Sequence, residues 1–259
     1  MKSENKKGIM SSLEQHKPRR EVNGLSLYYI DSIAVLVMNN GENKLNDDFL
    51  DSFHTMLDDV EGEDTCVGLI TTGVGKFYST GLDLPWLLKR SPEEIERFFI
   101  SLWQFWRRLM VFPVPTVAAI NGHCFAGGAI LAFAHDLRTM KDEGRGWICL
   151  NEVFINRRFP KSTLSLVQAK LGAGPNGHNA LVLAFRYTAQ EALRAGIVHT
   201  VTSEALLIKE SARVIEGLHV KQLLPRDSLV NMKRDVYELV LQDLDTDVDR
   251  AMSVFKSLL

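Results

Sequence analysis

The sequence predicts an α/β fold followed by a helical C-terminal region. Short β-favouring runs alternate with stretches of helical periodicity. Two of the runs end in glycine turns, the second of which leads straight into an apolar helix. From about Ser203 onward strand-like runs become scarce. Three segments follow: a flexible basic tail over residues 1–22, an α/β core over 23–202 and a helical region over 203–259.

Along the chain, Leu25–Ile30 and Ile33–Met38 are β-favouring runs around Asp31-Ser32, which predicts adjacent strands. Phe49, Phe53, Met56, Leu57 and Val60 recur at helical spacing, with Asn46 placed to cap and Asp47 and Asp48 suited to the positive end of the dipole. Residues 67–71 read as a buried strand ended by Gly73 and Gly75. The next helix has Ser91 as cap, Pro92 at its first position, Glu94 completing a capping box, and Ile95, Phe98, Leu102, Trp106 and Leu109 on one face. Phe112-Pro113 and Pro115 end it. Thr116–Ile120 is a strand running into Asn121-Gly122, and a small-residue helix starts near Ala126-Gly127-Gly128. Residues 137–140 and 147–150 flank a charged glycine turn, and from about Lys161 the chain is mostly helical.

At 259 residues, with 46% hydrophobic and 24% charged side chains, the composition excludes a wholly disordered or fibrous chain. A formal charge of −2 gives no electrostatic argument for nucleic acid or an acidic membrane as partner. Residues 1–20 nevertheless carry six basic and two acidic side chains, which reads as a solvated tail. Cys66, Cys124 and Cys149 form no close pair, so neither a disulfide framework nor a C-x-x-C metal site is predicted, and a reducing compartment fits. The uncharged run 109–135 is long enough to span a bilayer, but Pro113, Pro115 and Asn121-Gly122-His123 interrupt it, so it reads as buried core. No secretory or transit segment is legible, and the ending Ser257-Leu258-Leu259 lacks the basic penultimate residue of a standard peroxisomal address. On these residues the compartment stays open.

Several motifs are struck out. Gly73-Val74-Gly75-Lys76 has Ile70 and Phe77 where a phosphate loop needs Gly and Ser or Thr. Cys124 beside His123 has the residue types of a nucleophile and base, but adjacency in sequence does not supply their geometry. Two glycine turns remain, residues 76–84 and 121–128. The second places orphan backbone N–H groups at a helix start, and an N–H from the first turn would complete an oxyanion hole.

The turn Phe77-x-Ser79-x-Gly81-x-Asp83-Leu84 is followed in order by Pro115-Thr116-Val117-Ala118-Ala119-Ile120-Asn121-Gly122, Ala126-Gly127-Gly128, His135-Asp136, Asn151-Glu152-Val153, Thr188-Ala189-Gln190-Glu191-Ala192-Leu193 and Gly196-Ile197-Val198. In this order and spacing the sequence resembles the crotonase, or enoyl-CoA hydratase/isomerase, superfamily over about residues 25–200. The resemblance implies a spiral of repeated ββα units, a C-terminal helical region that serves oligomerisation, and trimers or dimers of trimers. It also implies an acyl-CoA thioester as ligand, with no metal and no cofactor beyond the CoA of the substrate.

Carried over by position, the resemblance puts the two oxyanion N–H groups on Leu82 and Gly127 and the catalytic base on Glu152. CoA contacts fall on the segment Lys76, Phe77, Tyr78, Ser79, Thr80 and Gly81, chiefly through its backbone, with Lys44 as a further candidate. Ile130 stands where hydratases of the family carry a second glutamate, and an apolar side chain cannot activate water. Together with Cys149-Leu150-Asn151-Glu152-Val153, this points to a Δ3,Δ2-enoyl-CoA isomerase of fatty acid β-oxidation. The alternatives are a non-catalytic acyl-CoA-binding protein, a hydratase and a thioesterase. Trp103 and Trp106 either line an acyl pocket or pack in the core.

The pattern departs from the family after Glu152, where Asn156-Arg157-Arg158-Phe159-Pro160 replaces a glycine, an apolar residue and proline. Asn156 suits the left-handed conformation of that glycine. The two arginines have three fates open to them: pointing to solvent, pairing with Glu152 and lowering its pKa, or binding phosphate.

Overall fold

The computed structural model describes residues 7–219 and 223–246. Helix α1 (Lys7–Leu13) precedes three short strands, β1 (Arg20–Val22), β2 (Leu25–Ile30) and β3 (Ile33–Met38). Helix α2 (Asp47–Glu61) follows, then β4 (Gly68–Gly73), β5 (Phe77–Ser79), α3 (Leu84–Leu87) and α4 (Pro92–Met110). Next come β6 (Thr116–Ile120), β7 (His123–Phe125) and α5 (Gly127–Ala134), then β8 (Leu137–Lys141), β9 (Ile148–Cys149), a 3-10 turn (Glu152–Ile155) and α6 (Lys161–Leu171). The chain continues through α7 (Pro175–Leu181), α8 (Ala189–Arg194), β10 (Thr200–Thr202), α9 (Leu207–Leu218), α10 (Arg226–Val236) and α11 (Glu238–Thr246).

Two sheets organise these elements. Seven strands run in the order β1-β2-β3-β4-β6-β8-β10, antiparallel across the first two pairings and parallel thereafter, and β5-β7-β9 form a second, parallel sheet. Each of β4, β6 and β8 therefore gives one strand to the large sheet, the next strand goes to the small sheet, and a helical segment returns the chain. This is the coiled ββα repeat expected from the resemblance, with helices at the C-terminal end.

Burial explains why the large sheet is apolar on both faces. Alternate residues of β3 divide between two cores: Ala34, Leu36 and Met38 face the cluster that holds α2, α4 and α5, while Ile33, Val35 and Val37 face α1 and α9. Local signals hold the helices in register. Asn46 Oδ1 accepts from the Phe49 N–H at 3.0 Å, and Ser91 and Glu94 form the capping box read from the sequence.

The structure corrects the reading of residues 1–22 as a flexible tail. Within residues 7–22, α1 buries Ile9 and Leu13, one helical turn apart, against the second face of the large sheet, and β1 extends that sheet. Two of its basic side chains are also tethered: Arg19 pairs with Glu63 at 2.7 Å and Arg20 pairs with Asp59. Residues 1–6 lie outside the described residues, as do 247–259 with the Ser257-Leu258-Leu259 ending. A further difference is β10, a strand inside a stretch expected to be mostly helical, which pairs parallel to β8.

The C-terminal helices fold onto their own chain. Helix α11 lies on α4 and α6, and α10 is anchored by the buried Lys233, whose Nζ pairs with Asp136 at 2.7 Å and donates to the Phe112 carbonyl at 2.9 Å. The uncharged run 109–135 is divided among the end of α4, β6, β7 and α5, and no helix among the described residues is long and apolar enough to cross a membrane.

Candidate active site

The two glycine turns are held together by buried amides. Asn121 Oδ1 accepts from the Gly73 N–H at 2.9 Å and its Nδ2 donates to the Gly75 carbonyl at 3.1 Å. Asn43 Nδ2 donates to the Tyr78 carbonyl at 2.9 Å, while Ser79 Oγ donates to the Asn43 carbonyl at 2.7 Å. With the loops fixed in this way, Gly81 lies against Gly127. A β-carbon on Gly81 would stand 2.6 Å from the Gly127 nitrogen, and Gly81 itself has φ +86°. One on Gly128 would stand 2.3 Å from the Ser79 carbonyl oxygen. Close backbone approach and left-handed geometry are the reasons these positions hold glycine.

The consequence is a pair of neighbouring N–H groups. On either side of Leu82, Leu45 donates to the Gly81 carbonyl at 2.8 Å and Asp83 donates to the Leu45 carbonyl at 3.0 Å. The Leu82 N–H is thereby left outside the ladder, and Gly127 occupies the first turn of α5, where no intrahelical acceptor exists. Among the described residues neither N–H has a backbone acceptor. Ala126, just before α5, turns the chain with φ +50° and ψ −126°, a conformation normally reserved for glycine.

Leu82, Gly127, Thr80, Ile130 and Glu152 all line one cavity of about 380 Å³. Glu152 starts the 3-10 turn after β9, closed by Arg157 N–H donating to the Glu152 carbonyl at 2.9 Å. Asn156 takes the left-handed conformation expected of it, with φ +55°. Burial pushes the Glu152 carboxyl up to about 8, and a hydrogen bond to its own backbone N–H opposes this only in part. Neither arginine holds it down, so of the three fates open to Arg157 and Arg158, pairing with the base is not the one taken. Both line the cavity instead. Glu152 Oε2 and Asn151 Oδ1 are buried without a hydrogen-bond partner among the described residues.

Of residues 76–81, expected to contact CoA, one lines the cavity. Thr80 faces the cavity; Lys76, Phe77, Tyr78, Ser79 and Gly81 do not line it. Tyr78 in particular is turned into the core, its hydroxyl 2.8 Å from Thr71 Oγ1, so a contact to ligand from this residue is confined to its backbone. Lys76 Nζ lies over the Phe77 ring, and Lys44 pairs with Glu42 at 3.1 Å. Cys124 is fully buried with its thiol pushed up by desolvation, and His123 packs among Phe77, Phe125 and Trp147, so the pair has no nucleophile–base geometry.

Sequence reasoning offered Trp103 and Trp106 as lining of an acyl pocket and missed Phe99 and Leu102 beside them. Phe99, Leu102, Trp103 and Trp106 of α4 line the cavity, although their spacing is that of any helix facing a core. Trp103 and Trp106 are buried and line the cavity at once, so the two roles set against each other coexist.

The chain matches the enoyl-CoA hydratase/isomerase family over residues 30–258. It belongs to that family. Among curated relatives, the peroxisomal enoyl-CoA delta isomerase 2 of Arabidopsis thaliana is 30% identical over 200 residues, covering 74% of this chain and 83% of that protein. A putative enoyl-CoA hydratase of Thermus thermophilus is 33% identical over 190 residues, covering 71% and 73%. Among solved structures, the human mitochondrial delta3-delta2-enoyl-CoA isomerase superposes with a TM-score of 0.80 at 26% identity, covering 89% of this chain and 91% of that one. Within the enoyl-CoA hydratase/isomerase family, then, this member presents to its cavity a single carboxyl among the described residues, with Ile130 on α5 lining the same cavity.

Proposed function

We propose that the protein is a Δ3,Δ2-enoyl-CoA isomerase that moves a 3-enoyl double bond to the trans-2 position. The observation that carries this reading is Glu152, the one carboxyl among the described residues on the wall of an apolar cavity, which it shares with two backbone N–H groups that have no backbone acceptor among the described residues. A proton α to a thioester is too weakly acidic for an unaided carboxylate. The Leu82 and Gly127 N–H groups take the charge that develops on the thioester oxygen, while Glu152 removes the C2 proton and returns it at C4. Ile130, Trp103 and Trp106 keep water away from the intermediate. Hydration calls for a second group to activate water, and Glu152 is the only acid on the cavity wall among the described residues.

The CoA moiety belongs to the substrate in this reading, and fatty acid β-oxidation is its setting. A trimeric or hexameric assembly is part of the same proposal, supported by the exposed apolar side chains Phe154, Val182, Leu183 and Phe185.

The test is conversion of 3-enoyl-CoA to the conjugated 2-enoyl-CoA, followed by absorbance, for the wild type and Glu152→Gln. Turnover that falls about 10³-fold in the variant, with ligand binding retained, is the expected result. Binding without turnover leaves a non-catalytic acyl-CoA-binding protein; a 3-hydroxyacyl product or free thiol indicates a hydratase or a thioesterase.

A further inference from the structure

Trp106, on the wall that α4 gives the cavity, is only 4% exposed. Its Nε1 is buried and has no hydrogen-bond partner among the described residues. An indole N–H can only donate, and a buried one ordinarily finds an acceptor. The other α4 side chains on this wall, Phe99, Leu102 and Trp103, bring no oxygen to it. A group with the opposite need lines the same cavity: Asn151, whose Oδ1 is also buried without a partner among the described residues. A buried polar group left unmet costs more than a typical hydrogen bond contributes, so a ligand that supplies its partner gains affinity. In the isomerase reading the thioester carbonyl sits at the Leu82 and Gly127 N–H groups and C2 to C4 at Glu152, which leaves α4 to meet the rest of the acyl chain. A hydroxyl is the neutral group that both accepts and donates.

We propose that the cavity receives an acyl chain with a hydroxyl beyond the reacting carbons, which accepts from the Trp106 N–H, so that the preferred ligand is a hydroxylated enoyl-CoA. A hydroxyl is favoured over a ketone because Asn151 Oδ1 calls for a donor. The inference deepens the isomerase reading and rests on it only for where the reacting carbons sit. Trp106 sets specificity; Glu152 and the N–H pair perform the reaction.

The experiment compares 3-octenoyl-CoA with its 5-, 6-, 7- and 8-hydroxy derivatives in the wild type and in Trp106→Phe, which removes the N–H and keeps an aromatic ring. The wild type is expected to favour at least one derivative about tenfold in kcat/KM. In Trp106→Phe that ratio should fall to one or below, because the hydroxyl then enters an apolar wall without a donor to meet it. A wild type that favours none of the derivatives, or a preference that Trp106→Phe leaves unchanged, overturns the proposal. An oxo derivative at the favoured position that is turned over as well as the hydroxy compound also overturns it, since a ketone accepts and cannot donate. A measurement on the wild type stands beside the variant: the indole N–H resonance of Trp106 should move with the saturated hydroxyoctanoyl-CoA far more than with octanoyl-CoA, and equal shifts count against the site. Calorimetry with the same saturated pair separates this inference from the isomerase reading. Tighter binding of the hydroxylated ester without turnover of any enoyl substrate would uphold the hydroxyl site and remove the isomerase.

Discussion

The Gly127 nitrogen lies so near the Gly81 α-carbon that any side chain at position 81 would begin 2.6 Å from it. Gly81→Ala therefore meets both a backbone clash and a positive φ. In the proposed isomerase, displacing either N–H should lower kcat/KM for 3-enoyl-CoA by about 10²-fold or more. Loss of stability of roughly 2 kcal/mol should accompany it, measured by denaturant unfolding.

The Glu152 carboxyl must be ionised to accept a proton, and burial holds it at about 8. Isomerase kcat/KM should therefore rise close to tenfold per pH unit through neutrality and level off above about 8. A profile flat from pH 6 to 9 would remove Glu152 as the base.

Stability should show the opposite dependence. The folded-state pKa is raised above that of an unfolded glutamate, so between about 4.5 and 8 the folded state holds the proton more firmly, and stability falls as pH rises through that window. Glu152→Gln should remove this cost. Its gain over the wild type should be absent near pH 4, grow through neutrality and reach roughly 2–4 kcal/mol near pH 8, read from urea midpoints.

Ala126 adopts a conformation that costs a residue with a β-carbon roughly 1–3 kcal/mol. Ala126→Gly relieves it, offset in part by the greater flexibility of glycine in the unfolded chain. A net gain of about 1 kcal/mol is expected, visible as a rise in Tm of a few degrees. A fall in Tm would show that the turn is unstrained.

Lys233 ties α10 to the start of β6 through Asp136, which also accepts from the Thr116 N–H at 2.8 Å. Lys233→Ala leaves that carboxylate part-buried without its cation and should cost about 3 kcal/mol in thermal or denaturant unfolding.

The sequence disclosed those parts of the fold that are coded locally. The Ser91–Glu94 capping box, the Asn46 cap and the boundaries of β2, β3 and β6 each depend on a few neighbouring residues. Strands β5, β7 and β9 escaped because two or three residues carry no alternation, and their pairing is set by distant loops. Helix α1 escaped because Ile9 and Leu13 sit in a charge-dense stretch, and only the uncovered sheet face gives them a role. At the candidate site, motif order singled out Leu82, Gly127 and Glu152, which the fold brings to one cavity. The cavity was not, since the α4 stripe that walls it has the spacing of ordinary core.

Glu152 Oε2 has one more consequence, because it is buried with no hydrogen-bonded neighbour among the described residues. Once an acyl chain fills the cavity, a hydrogen lifted onto that oxygen has no relay to bulk solvent through it. In the proposed isomerisation, the atom removed at C2 is then the one delivered to C4. Run in heavy water, early turnovers should yield product with protium at C4, and substrate labelled at C2 should pass its deuterium along the chain rather than to the medium.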